Sequence, residues 1–274
     1  ACANDQTVAA INSHLVVVDE SGLVSFYTTL HNNSLEKGWD VNLGVAANKY
    51  FAVSADFNAD GNASIAVVGD NGFIAHIALD GTILSQQNSG IDLSGMAAPA
   101  LGDMDGDGLA EILVNTPNGF YVFETLGVES LNFPVSFNEM VTPASSLWHL
   151  NNGQEQSLVN RNNLVYSYDS KGKTTSDFPI ATSGLVVSSL FTDLDNDGTE
   201  DLFVISDDGF LYGWDLDFAS DAFNAWSQYG GDALRTFSFL GKSEKTTSGE
   251  LMPAKTVFCY PNPTENNQTN IRYV

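Results

Sequence analysis

The chain has 274 residues, 34 acidic against 10 basic side chains and a formal charge of −24. That excess of carboxylates sets aside nucleic acid and anionic membrane surfaces as partners, since both carry the same sign. No apolar run approaches the ~18 residues of a membrane-spanning helix, so membrane insertion is not expected, and the length suffices to bury a sizeable core.

The chain opens on Ala1 with no Met and no charged-then-apolar leader. Either a signal peptide has been removed or the sequence is a piece of a longer chain. Cys2 and Cys259 lie near opposite ends; they pair in an oxidising compartment or remain two thiols, and geometry alone decides which. Glu20-Ser21-Gly22-Leu23 reads as a hairpin turn before an apolar strand, in a first unit whose loop half is missing.

The second unit is the clearest. Four short strands are expected near Tyr50–Ala55, Ser64–Val68, Phe73–Ala78 and Thr82–Gln86, separated by an acidic loop, by Asp70-Asn71-Gly72 and by Asp80-Gly81. The acidic loop runs from Asp56 to Ser64. It recurs from Asp103 to Glu111 and from Asp193 to Asp201, each time followed by an apolar, β-branched run.

Loop positions 1, 3 and 5 are Asp103, Asp105 and Asp107, then Asp193, Asp195 and Asp197, then Asp56, Asn58 and Asp60. Position 6 is Gly in all three, and position 9 is Glu111, Asp201 and Ser64. Like charges ~4 Å apart repel by about 4 kcal/mol at an effective dielectric of ~20. A hard cation with oxygen ligands would neutralise them, the carbonyl at position 7 (Leu109, Thr199, Asn62) adding a further oxygen. A helical EF-hand loop would need Glu at position 12, where this chain has Val67, Val114 and Val204. The loops therefore join strands. An acidic turn that binds nothing is the plainer alternative.

The first spacing is 47 residues and the second 90, so a copy is expected midway. Trp148-His149-Leu150-Asn151-Asn152-Gly153-Gln154-Glu155-Gln156 fills that place without carboxylates at the ligand positions, a unit that keeps the fold and has lost the ion. Hairpin turns lie eleven residues after each loop Gly, at Gly72, Gly119 and Gly209. Seam aromatics Trp39, Phe133, Phe178 and Trp226 follow the same period of about 46 residues and are expected to fill the space between units. Four-stranded antiparallel units at this period predict an all-β fold, a β-propeller with about five blades visible. Asp217–Asn224 has room for one helical turn. Residues 241–255 read as a linker, and Thr256–Pro263 as a strand entering a Pro-locked turn.

The acidic loops and their trailing strands resemble the FG-GAP/VCBS repeat family, the calcium-loop propellers of integrin α-subunits and of many secreted bacterial proteins. The resemblance covers roughly residues 8–240 and implies calcium at positions 1, 3, 5 and 9, with the loop at Asp56 weaker because Ser64 lacks a carboxylate. Trp226–Asp232 resembles the closing segment of such propellers. Tyr260-Pro261-Asn262-Pro263 resembles the opening of the C-terminal sorting domain of type IX secretion, here only its start, over 256–274. The resemblance implies an extracellular or cell-surface protein, handled by that secretion machinery, with more blades usual in the family than five. Missing blades would then precede Ala1, or a partner segment would close the ring.

His14, His31, His76 and His149 form no zinc pair, and no nucleophile motif or phosphate-cradling glycine loop is present. His76 reads as a strand residue. The expectation is a non-catalytic module that binds an unidentified protein or glycan. The alternatives are a polysaccharide lyase, an activity some calcium-loop propellers have, and an accessory domain of a larger secreted enzyme.

Overall fold

The computed structural model describes residues 7–11, 14–29, 34–124, 127–137, 147–151, 154–219, 226–232 and 235–239. All of them belong to one unit, Ala1–Lys242. The linker, the Pro-locked segment, Cys2, Cys259 and His31 lie outside the described residues. Among those described there is no helix, and hence none long and apolar enough to cross a membrane.

The strands form successive antiparallel sheets in chain order. The first blade is β1 (Thr7–Ile11), β2 (His14–Val18), β3 (Leu23–Thr29) and β4 (Leu35–Asn42). The second is β5 (Tyr50–Ala55), β6 (Ser64–Gly69), β7 (Phe73–Ala78) and β8 (Ile83–Asn88). The third is β9 (Ala100–Gly102), β10 (Glu111–Asn115), β11 (Gly119–Phe123) and β12 (Val135–Ser136). The fourth is β13 (Leu147–Asn151), β14 (Gln154–Arg161), β15 (Leu164–Asp169) and β16 (Ile180–Ala181). The fifth shows three strands among the described residues, β17 (Val186–Thr192), β18 (Thr199–Ser206) and β19 (Leu211–Ala219). Blades meet in order, β1 on β5, β5 on β9, β9 on β13 and β14 on β17. The fold is therefore all-β, with propeller-type blades.

The strands form where apolar and β-branched residues can bury both faces. Every residue of β5 and β6 is buried, and the inner side chains of the first three blades merge into one core. A second cluster, with Leu158, Phe191, Leu202 and Val204, joins the fourth and fifth blades. Polar latches mark the seams. Trp39 Nε1–H donates to the Leu79 carbonyl at 2.9 Å, and Asn160 Nδ2–H to Ser189 Oγ at 2.6 Å.

Three expectations need correcting. The first unit has all four strands: Ile11 pairs with His14, so its first two strands run together where other blades carry the acidic loop. The fourth unit does the same, with Asn151 paired to Gln154, so its first two strands extend through the place of the lost loop. Third, β19 continues to Ala219, so Asp217–Ala219 is strand; the rest of the proposed helical turn lies outside the described residues. Beyond it Trp226 is buried, but it does not open a fourth strand of its blade. Gln228 bridges to Leu190 of β17, and the chain crosses to β20 (Ser238–Phe239), which pairs in parallel with β5 of the second blade.

Candidate functional site: acidic loops and an uncovered blade face

The three acidic loops join the first and second strands of the second, third and fifth blades. They share one hydrogen-bond skeleton. The position 1 carboxylate accepts the N–H of the position 6 glycine: Gly61 to Asp56 at 2.8 Å, Gly108 to Asp103 at 3.0 Å, Gly198 to Asp193 at 3.1 Å. The position 5 carboxylate accepts the N–H of position 7: Asn62 to Asp60 at 2.7 Å, Leu109 to Asp107 at 2.7 Å, Thr199 to Asp197 at 2.8 Å. Those bonds draw Asp60 and Asp197 below the usual carboxylate range; the Asn62 N–H leads for Asp60 and the Thr199 hydroxyl for Asp197.

Position 6 has φ of 86°, 91° and 94°, which glycine alone tolerates freely. Position 4 is left-handed as well: Ala59 at 55°, Gly106 at 81° and Asn196 at 62°. Sequence reading picked out the first of these turns and missed the second, because only Gly106 and Asn196 carry any signal for it.

Asp103, Asp105, Asp107 and Glu111 each bring a carboxylate oxygen within 4.8 Å of the others, as do Asp193, Asp195 and Asp197. An ion holding oxygens at about 2.4 Å can bridge such a span. Asp201 is not in its loop's cluster; its Oδ2 accepts the Leu194 N–H at 3.0 Å. The loop at Asp56 keeps the skeleton with two carboxylates and Asn58, whose Nδ2–H donates to Asp60 at 3.0 Å.

Glu111 differs from the exposed acids. It is 1% exposed, its Oε2 accepts the Met104 N–H at 2.5 Å, and its Oε1 has no hydrogen-bond partner. Burial pushes its carboxyl up to about 9, the Met104 N–H opposes this, and Glu124, Asp105 and Asp103 push further in the same direction. A buried carboxylate with one free oxygen, facing three others, fits a cation at that point.

Position 2 of each loop carries an apolar side chain, Phe57, Met104 or Leu194. Phe57 and Met104 are buried, and the ring of Phe57 meets His76 edge-on at 4.9 Å. This face of the second blade lies against the third: Gly127 packs so closely on Ile74 that an added Cβ would stand 3.2 Å away. The corresponding face of the fifth blade is bare. Leu194, Ile205 and Leu211 are 66%, 51% and 66% exposed, whereas their repeat equivalents Phe57, Val68 and Ile74 are 1%, 0% and 1% exposed. Ser188, Leu190 and Phe203 complete an apolar groove there. The repeat fixes which positions point this way; sequence could not say that they stay exposed in the fifth blade.

Comparison with known proteins adds the fold and little more. No protein-family model matches the chain, and no curated protein does. Among solved structures it is similar to a crystal structure of BBS1N in complex with ARL6DN soaked with mercury, with TM-score 0.51 and 18% identity over 80% of this chain and 65% of that one. It is also similar to the lead-soaked form of that complex, with TM-score 0.50 and 13% identity over 79% of this chain and 80% of that one. The chain thus spans just under two thirds of the first of these structures. At such identity the likeness is one of fold: the chain has the all-β, propeller-type architecture of BBS1N.

Proposed function

We propose that the chain is a non-catalytic, calcium-binding propeller module that holds a protein or glycan at the cell surface or outside the cell. Calcium is structural in this reading, clamping the first strand of a blade to the second. The observation that carries it is the buried carboxylate of Glu111, which has one oxygen without a hydrogen-bond partner and converges with Asp103, Asp105 and Asp107. The FG-GAP/VCBS resemblance points the same way. With it come a propeller over residues 1–240, a linker over 241–255 and the start of a type IX sorting segment over 256–274. The bare face of the fifth blade favours a protein ligand, since a contiguous apolar surface on a folded domain marks an interaction site. BBS1N, similar in fold, is itself found in complex with another protein.

Thermal unfolding in 10 mM calcium and in excess chelator tests the metal. Sites with dissociation constants near 10⁻⁴ M would each add about 2.7 kcal/mol at that concentration. The rise is expected in the wild type and largely lost in the double variant Asp105→Ala, Asp195→Ala. No calcium-dependent rise would leave the loops as acidic turns. Incubation with acidic polysaccharides tests the absence of catalysis, and unsaturated sugar products would replace the binding reading with a lyase.

A further inference from the structure

The two loops that end in a carboxylate share a feature that lies outside them. In the third blade Ile112 pairs with Phe123, which sets Glu124, just beyond β11, across from Glu111 at loop position 9. In the fifth blade Asp201, again position 9, pairs with Asp215 on β19. In the second blade position 9 is Ser64 and its partner is Ala78. In the fourth blade position 9 is Gln156 and its partner is Asp169, so there a third-strand acid faces a neutral amide.

Like charges directly opposite one another on a sheet are destabilising. Facing acids in both blades whose loop ends in a carboxylate call for positive charge beside them. The ion pair of Lys37 with Asp40 belongs to the first blade. Glu111 supplies an independent pointer to a cation: its Oε1 is buried and has no hydrogen-bond partner, and one of its carboxylate oxygens lies within 4.8 Å of those of Asp103, Asp105 and Asp107. Glu124 is fixed beside it: Ser130 Oγ–H donates to its Oε1, and its backbone closes a turn with Gly127 and Val128 at 2.7 Å each. In the fifth blade the Thr199 hydroxyl stands 2.5 Å from Asp197 and 3.3 Å from Asp215, linking loop to third strand.

We propose that Glu124 and Asp215 are outer carboxylates of the two cation sites, each adding negative charge behind the position 9 residue, so that the bound ion relieves a repulsion held between the second and third strands of its blade. This rests on the reading of the loops as calcium sites. Both are positioning residues: Glu124 is not among the four carboxylates that converge. The ion then stabilises the middle of the blade as well as the loop, by way of a third strand it does not touch.

The test uses the whole chain, with calcium titrated calorimetrically and thermal unfolding followed in calcium and in chelator. Glu124→Gln keeps the acceptor for Ser130 and removes the charge; Asp215→Asn does the same in the fifth blade, and Glu36→Gln, on exposed β4, controls for net charge. Each of the first two is expected to weaken one calcium site on the order of ten-fold and to raise the unfolding temperature in chelator. Glu36→Gln should do neither. Unchanged calcium affinity in Glu124→Gln and Asp215→Asn, or a lower unfolding temperature in chelator, would overturn the inference alone. A wild type without any calcium response would overturn the calcium reading and this inference with it.

Discussion

His76 makes the stability of the chain depend on pH in a way that can be isolated. It lies on β7, 3% exposed, on the face turned to the third blade, with its Nε2 lacking a hydrogen-bond partner. Burial lowers its pKa from 6.5 to about 4. The unfolded chain therefore takes up a proton below pH 6.5, and the folded chain does so only near pH 4. Stability is full above the higher value, falls as pH drops between the two, and levels off below the lower one. At 1.36 kcal/mol per pH unit the whole effect is about 3 kcal/mol, of which about 2 kcal/mol is lost by pH 5. Urea unfolding at pH 8 and pH 5, at fixed calcium, would be compared for the wild type and His76→Leu. The carboxylates titrate alike in both proteins, so the difference between the two pH dependences reports His76. It should be about 2 kcal/mol, with the wild type losing more on acidification. Equal pH dependence in the two proteins would refute the argument and place a proton on His76 in the folded state.

Equivalent positions in the repeat give a second, paired prediction. Phe57→Ala should cost about 3–5 kcal/mol in urea unfolding, because a buried ring leaves a cavity against His76 and the next blade. Leu194→Ala, at the same loop position on the bare face, should change stability by less than about 0.5 kcal/mol. Arg161 is the buried cation of the third seam: Nη1 donates to Asn115 Oδ1 at 2.8 Å and to the Thr116 carbonyl at 2.7 Å, Nη2 to the Pro117 carbonyl at 2.7 Å, and the guanidinium lies 3.5 Å over the Phe137 ring. Arg161→Ala should cost about 3 kcal/mol by the same assay, and Arg161→Lys should recover little of it, since an ammonium cannot span three acceptors and a ring.

The second blade was legible almost residue by residue. Its alternation, its turn glycines and its acidic loop all mark the same four strands, and β5 and β7 begin and end where expected. The first and fourth blades were harder because the acidic loop served as the marker, and in both the first two strands pair through its place. Glu124 and Asp215 escaped notice because strand register, which sequence does not display, sets them opposite position 9. Trp226 follows the seam period, yet its segment leaves the blade and pairs with inner strands, a tertiary choice that no local pattern encodes.

The crossing from Gln228 to Phe239 has a kinetic side. Blades that contact only their neighbours can fold and unfold piecemeal, each stabilising the next. Here Ser238 and Phe239 pair with Ser54 and Ala55, a contact between residues about 180 apart in sequence, which places it among the slowest to form. During synthesis the inner edge of the second blade must wait, unpaired, until the fifth blade has emerged. Once made, the contact ties the last blade to the second, so the blades between them lose their independence and the array unfolds as a single cooperative body.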